Sequence, residues 1–370
     1  VTQAAQTAVA PAFAPRLAAP LRSAAELARE GLIDAGDVAA LDAVAERYAI
    51  AVTPAMAALM AGGDDADPIR RQFIPDLAEL ATLPEESPDP IGDEVHSPVP
   101  GIVHRYPDRA LVKMLHACPV YCRFCFRREM VGPGGEALAG EAFQRAMDYL
   151  AGQPGIWEII VTGGDPFMLS PRRVEALMQA LGSMAHVKVV RWHTRVPMVD
   201  PGRVTPALVR ALKLGGKAAY VGVHANHPRE FTPEARAALA MLADAGVALV
   251  SQSVLLRGVN ADPETLAALM RAFVENRVQP YYLHHPDFAP GTSHFRLSIA
   301  EGQAILRQLR GRLSGLAQPT YVLDIPGGHG KVPIGPGFIE NDEQGVSRVV
   351  DRAGQVHAYP PVQARSPDQP

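Results

Sequence analysis

Residues 110–125, ALVKMLHACPVYCRFC, read as an apolar strand running straight into a loop that holds three cysteines. Cys118, Cys122 and Cys125 fall within this one stretch, and the rest of the 370-residue chain has none. An odd number of thiols so closely spaced excludes a disulfide framework. In the pattern Cys-x-x-x-Cys-x-x-Cys three thiolates can face a common centre. Structural iron-sulfur sites usually take four cysteines, so three leave one iron of a cluster open to bind a substrate or cosubstrate directly. The alternative is a structural zinc completed by His116. His116 lies on the strand, however, and most zinc sites bring their ligands in two separated pairs.

Outward from this loop the order strand, polar or glycine-bearing loop, amphipathic helix repeats six times. Strands are predicted at 110–116, 157–161, 187–192, 218–223, 248–254 and 279–283, with helices at 141–151, 171–183, 206–214, 233–245, 263–276 and 299–314. Several helices open with Thr-Pro, Ser-Pro or Asp-Pro, a cap followed by proline at the first helical position. Such a run implies parallel strands with right-handed crossovers, in an open sheet or a partial or full barrel. A site is then expected past the strand C-termini. There lie Gly163, Gly164 and Asp165 after the second strand, His193 to Arg195 after the third, His224 to His227 after the fourth and His284 to Asp287 after the sixth. A seventh strand, 320–324, leads into a glycine turn ending at Lys331, and a hairpin is predicted from 346–350 and 356–359.

Upstream, apolar residues recur at helical spacing over 34–49 and 53–60, and prolines and acids interrupt any period between Leu83 and Pro100. The expected organisation is a flexible tail over 1–33, a helical region and connector over 34–100, a core over 101–318 and a C-terminal segment over 319–370. Net charge is -4 without long runs of one sign, which gives no footprint for nucleic acid. No segment approaches the roughly 18 apolar residues of a membrane helix, and the N-terminal stretch lacks the pattern of a signal peptide. A cytoplasmic protein acting on a small molecule is the expectation.

Lysine is scarce, with only Lys113, Lys188, Lys213, Lys217 and Lys331 in the chain. Pro326 to Lys331, PGGHGK, is not a phosphate loop, because Ile325 and Val332 stand where a Walker sequence needs glycine and Ser or Thr. A lysine on a tight turn just past a strand can form a Schiff base with pyridoxal phosphate, or simply be a solvated loop residue.

The cysteine spacing, with aromatic Phe124 before the third cysteine, resembles the radical S-adenosylmethionine enzymes. That resemblance implies a 4Fe-4S cluster on Cys118, Cys122 and Cys125 whose open iron chelates S-adenosylmethionine, and an external low-potential electron donor. Gly163, Gly164 and Asp165 look like that family's glycine motif, and Gln252 is implied as a further cofactor contact. The collinear stretches DPIRRQFIP at 67–75, HSPVPGIVHRYPDRAL at 96–111, VTGGDP, HANHPREFTPEA, QSVLLRGVN and DIPGGHGK are similar to the lysine 2,3-aminomutase family over 67–359. This likeness implies an α/β fold, a partial (βα)6 barrel with a helical N-terminal extension and a C-terminal segment carrying the pyridoxal phosphate lysine. Lys331 would be that lysine, and Arg105, Tyr106 and Arg109 would contact the cofactor, mainly its phosphate. Arg127 would bind the substrate carboxylate and Asp287 with Asp324 the side-chain ammonium of lysine. The implied reaction moves the α-amino group of L-lysine to the β carbon.

Read without the family, Arg127 and Arg128 are a solvated basic pair, and the two aspartates are helix caps or partners of arginines. Another cationic amino acid, arginine or ornithine, would suit both aspartates as well, and a non-catalytic iron-sulfur or zinc-binding protein is the reading from a different class. Relatives carry further cysteines for a structural zinc that have no counterpart here, so a homo-oligomer, still expected, must rely on other packing. His329 stands where a glycine is usual.

Overall fold

A computed structural model describes residues 19–341, 347–351 and 353–359. Nine strands form one sheet in strict sequence order. They are β1 (Ile102–Tyr106), β2 (Arg109–Leu115), β3 (Glu158–Gly163), β4 (Val189–Thr194), β5 (Ala218–His224), β6 (Ala248–Val254), β7 (Gln279–His284), β8 (Thr320–Asp324) and β9 (Lys331–Pro333). From β2 to β8 all pairings are parallel, while β1 and β9 pair antiparallel at the two edges. The edge strands do not pair with each other, so the barrel stays open. The six crossover helices are Gly140–Ala151, Pro171–Gly182, Pro206–Leu212, Pro233–Asp244, Pro263–Glu275 and Ile299–Leu309. Thr205, Thr232, Asp262 and Ser298 each accept the expected backbone N–H at a helix start, worth about 1 kcal/mol apiece.

Side chains alternate across each strand. On β3 and β4, Ile159, Val161, Val190 and Trp192 are wholly buried apolar residues, while Glu158, Ile160, Thr162, Arg191 and His193 line the inner cavity. The helices add Leu177, Leu181, Met270 and Phe273 to the same core. Truncating one such leucine costs about 2 to 5 kcal/mol. The inner row is polar because it faces the site.

Four expectations are corrected. The expected tail over 1–33 includes a helix, Ala24–Arg29, capped by Ser23 and with Ala24 and Leu27 buried; residues 1–18 lie outside the described residues. The sixth crossover helix ends at Leu309, short of residue 314, because Gly311 takes a left-handed conformation at φ 73°. Strands β1 and β9 were not anticipated. The C-terminal hairpin forms from Ser347–Val350 and Val356–Tyr359 and gains a third strand, Ile339–Asn341, while Val346 falls outside the described residues.

Candidate active site

A cavity of about 410 Å³ runs along the inner face of the sheet. Its walls include Cys118, Cys122 and Cys125, the glycine motif Gly163, Gly164 and Asp165, Arg105, Tyr106, Arg109, Arg127, Gln252, Asp287, Asp324 and Lys331. All candidate residues therefore meet in one space. The expectation of a site past the strand C-termini was too narrow, since Arg109 and Glu158 lie at the first positions of β2 and β3. The open barrel leaves its lumen available as far as those N-terminal ends.

The three thiols line the cavity, and His116 does not. Among the described residues no three His, Cys, Asp or Glu side chains converge as a single-ion site. Burial pushes the Cys125 thiol up to about 11 and raises Cys118 and Cys122 as well, with Arg195 opposing the rise at Cys122. Ligation must therefore displace protons. Arg195 Nη1 lies 3.2 Å from Cys122 Sγ, and its Nη2 donates to Glu230 at 2.9 Å and Gln72 at 2.5 Å.

The cluster loop is also tied to the N-terminal region. Wholly buried Glu79 accepts from Arg123 at 2.6 Å and from Arg128. Arg128 further donates to Gly291 O at 3.0 Å and stacks on Tyr48. The solvated reading of Arg127 and Arg128 is thus corrected: both are buried and paired. Removing one partner of such an ion pair costs about 3 to 5 kcal/mol.

Asp165 accepts from Thr194 Oγ1 at 2.6 Å and from the backbone N–H of Arg195 at 2.7 Å and Phe167 at 3.0 Å. Its carboxylate joins the ends of β3 and β4, so a ligand can meet this motif through backbone. Gly164 is required there, since a Cβ would come within 2.3 Å of Ala117 O.

At the other edge of the sheet, Lys331 pairs with Asp324 across β9 and β8, and its Nζ donates to the Asp324 carboxylate. His284 Nδ1 is 3.4 Å from both groups. Burial disfavours ionised Asp324, but the His284 imidazole and Lys331 ammonium outweigh it and hold the carboxyl far below its ordinary value. Burial, then Lys331, lower the His284 imidazole, which stays neutral. Asp287 differs: burial and the charge of Asp324 push its carboxyl up to about 8. Tyr106 Oη accepts from Lys331 N at 2.8 Å. His329 is exposed, which removes any steric objection to a side chain beside Lys331.

Sequence reasoning missed Asp93, which lies in the connector and is 1% exposed. It pairs with both Arg105 and Arg127. In GDEV its acid looks like any solvated one; the only clue was a glycine beside it. That Gly92 packs against the turn before Lys331, where a Cβ would meet Gly328 N at 2.4 Å. His96 Nε2 is 2.9 Å from Gly328 O.

Comparison with known proteins places this geometry. Residues 112–270 match the model of the radical SAM superfamily, and residues 306–369 match that of lysine-2,3-aminomutase. The L-lysine 2,3-aminomutase of Fusobacterium nucleatum is 40% identical over 80% of this chain and 69% of its own length. That of Clostridium subterminale is 40% identical over 78% and 70%, and the glutamate 2,3-aminomutase of Clostridioides difficile 36% over 80% and 70%. The half-barrel and its three-cysteine loop define a radical SAM enzyme. Within that class, the chain belongs to the lysine 2,3-aminomutase family, whose members are isomerases using a 4Fe-4S cluster, S-adenosylmethionine and pyridoxal phosphate.

The cavity fits these groups. Arg105 Nε and the Nε2 atoms of His224 and His284 are buried without a partner among the described residues, although all three side chains line the cavity. Buried polar atoms are normally satisfied, and polar ligands would satisfy these. Arg105 and Arg109 offer cations to a phosphate, and three soft thiolates suit iron-sulfur ligation.

The raised Asp287 has a stability consequence. Its folded value exceeds the roughly 3.9 of an unfolded aspartate, so the unfolded state holds fewer protons between about pH 4 and 8 and the penalty grows as pH rises through that window. Asp287→Asn is expected to raise the Tm of the cofactor-free protein by a few degrees at pH 8 and by less at pH 5. A gain that did not grow with pH would show that Asp287 ionises freely.

Proposed function

We propose that this protein converts L-lysine to L-β-lysine by moving the α-amino group to the β carbon. The observation that carries the reading is the carboxylate pair Asp287 and Asp324 lining a cavity that also holds the Arg127 guanidinium and Lys331. An amino acid with a cationic side chain meets a complementary charge at each end. The naming of its similar relatives as L-lysine 2,3-aminomutases supports the same choice.

Bound in this cavity, the cluster with S-adenosylmethionine supplies a hydrogen-abstracting 5'-deoxyadenosyl radical, and pyridoxal phosphate supplies a ring that delocalises the unpaired electron. Cys118, Cys122 and Cys125 would hold the cluster, the Gly163–Asp165 backbone and Gln252 the S-adenosylmethionine, and Lys331, Arg105, Tyr106 and Arg109 the pyridoxal phosphate. Arg127 takes the substrate carboxylate in two parallel hydrogen bonds. Asp287 and Asp324 hold the distal ammonium, which fixes how deep the β carbon sits. Lys331 Nζ must lose its proton to react, and the polar groups beside it are the Asp324 carboxylate and His284 Nδ1 at 3.4 Å. The enclosing walls exclude water from a reactive radical. The electron would come from an external low-potential donor, as membership of the radical SAM superfamily implies. No described helix is long and apolar enough to cross a membrane, and a cytoplasmic homo-oligomer completes the reading.

The test is an anaerobic incubation of reconstituted protein with S-adenosylmethionine, reductant and lysine, arginine, ornithine or glutamate. β-Lysine is the expected product. Turnover of glutamate without lysine would overturn the assignment; an anionic side chain would face the ionised Asp324 carboxylate here. A pH signature should accompany turnover. Below about pH 8 unliganded Asp287 is neutral and offers a cation only a dipole. Binding then requires release of its proton, so KM for lysine is expected to fall by up to about tenfold per unit as pH rises from 6 toward 8. Asp287→Asn should flatten that slope.

A further inference from the structure

We propose that Asp93 is a positioning residue that aims two arginines at once, one toward the phosphate of the cofactor and one toward the substrate carboxylate. The proposal rests on the aminomutase reading for what those arginines hold. Asp93 Oδ2 accepts from Arg127 Nε at 3.2 Å and Nη2 at 2.9 Å, and Oδ1 accepts from Arg105 Nη2 at 3.3 Å. Its side chain is 2% exposed.

The pattern of donors decides what Arg127 can do. Asp93 occupies the Nε edge of the guanidinium, and Thr162 Oγ1 takes one hydrogen from Nη1 at 3.3 Å. Of the five N–H groups, one on each terminal nitrogen remains. One hydrogen on each terminal nitrogen is the number a carboxylate bridging both nitrogens needs. Asp93 thus leaves Arg127 presenting those two hydrogens, with the side chain already ordered.

Charge points the same way. One carboxylate faces two guanidiniums and the nearby Lys113 ammonium, so a positive surplus remains for two anionic ligand groups. A second acid in this position would reduce it. The anchor itself is rigid: Asp93 N donates to Asp89 Oδ1 at 2.8 Å, and Ser97 Oγ donates to Asp93 O at 2.8 Å. The neighbouring Gly92 abuts the turn that bears Lys331. The connector therefore sets the relative positions of three binding groups from outside the barrel.

Asp93→Asn keeps the shape and one acceptor but loses the charge. Binding is read without turnover, from the visible absorbance of bound pyridoxal phosphate and its perturbation by lysine or by lysinamide, which lacks the carboxylate. Loss of a partner that orients a ligand-holding side chain typically costs about 10- to 100-fold. Lysine affinity is expected to fall in that range while lysinamide affinity changes little, and pyridoxal phosphate affinity should fall severalfold through Arg105. Asp93→Glu returns the charge one methylene out of place. It should recover thermal stability but not the preference for the acid over the amide, whereas a purely stabilising ion pair would recover both. An unchanged acid-to-amide preference in Asp93→Asn overturns the proposal. A wild-type protein with no pyridoxal absorbance refutes the aminomutase reading instead, and the role of Asp93 falls with it.

Discussion

Lys331→Ala is expected to abolish the visible absorbance of pyridoxal phosphate in the reconstituted protein and to lower turnover by a factor on the order of 10⁴ or more. Among the described residues the lysine is the sole amine on the cavity wall, so none of these neighbours can replace it. The variant should remain folded, because the pair it breaks is partly open: the Lys331 side chain is 21% exposed and Asp324 keeps His284 at 3.4 Å. Cluster iron and S-adenosylmethionine cleavage should survive, since Lys331 lies on β9 at one edge of the sheet and the cysteines follow β2 near the other. An intact pyridoxal band in Lys331→Ala would mean that another group anchors the cofactor.

The second large effect has the opposite pattern. Cys125→Ala should remove cluster iron and S-adenosylmethionine cleavage, with turnover falling by a similar factor on the order of 10⁴, yet leave the pyridoxal absorbance in place. With three ligands and one open iron, loss of a thiolate cannot be made good from elsewhere in a chain with no other cysteine. The Cys125 thiol is pushed up to about 11 by burial, then by the nearby Cys122, so reconstitution should also be slower below neutral pH. Iron retained at wild-type level in Cys125→Ala would sink the ligand assignment. Together the two variants separate the radical half of the site from the pyridoxal half.

The barrel was legible because its signals are local. Four of the six crossover helices open with Ser-Pro, Thr-Pro or Asp-Pro after an apolar strand, and six strand to helix steps leave few topologies. The cysteine loop and the glycine turn at Lys331 were legible for the same reason. Asp93 was not, because its meaning depends on Arg105 and Arg127, partners 12 and 34 residues away. Arg128 was misread as solvated since nothing near it in sequence shows the buried Glu79, 49 residues upstream. Strand β9 escaped notice because a three-residue edge strand, Lys331–Pro333, is too short to show a period.

The contact between the connector and the glycine turn has a consequence for how the protein is made. His96 and Gly328 are 232 residues apart, and Gly92 meets the same turn. Contacts that distant in sequence form late, after the loop entropy between them has been spent. On the ribosome, the cluster-binding loop emerges early and its strand can begin pairing with β3, while the pyridoxal pocket has no floor until nearly the whole barrel has been synthesised. The iron site waits as well, because its loop leans on Arg195, Glu230 and Gly291, so the two halves of the site become complete together rather than in turn.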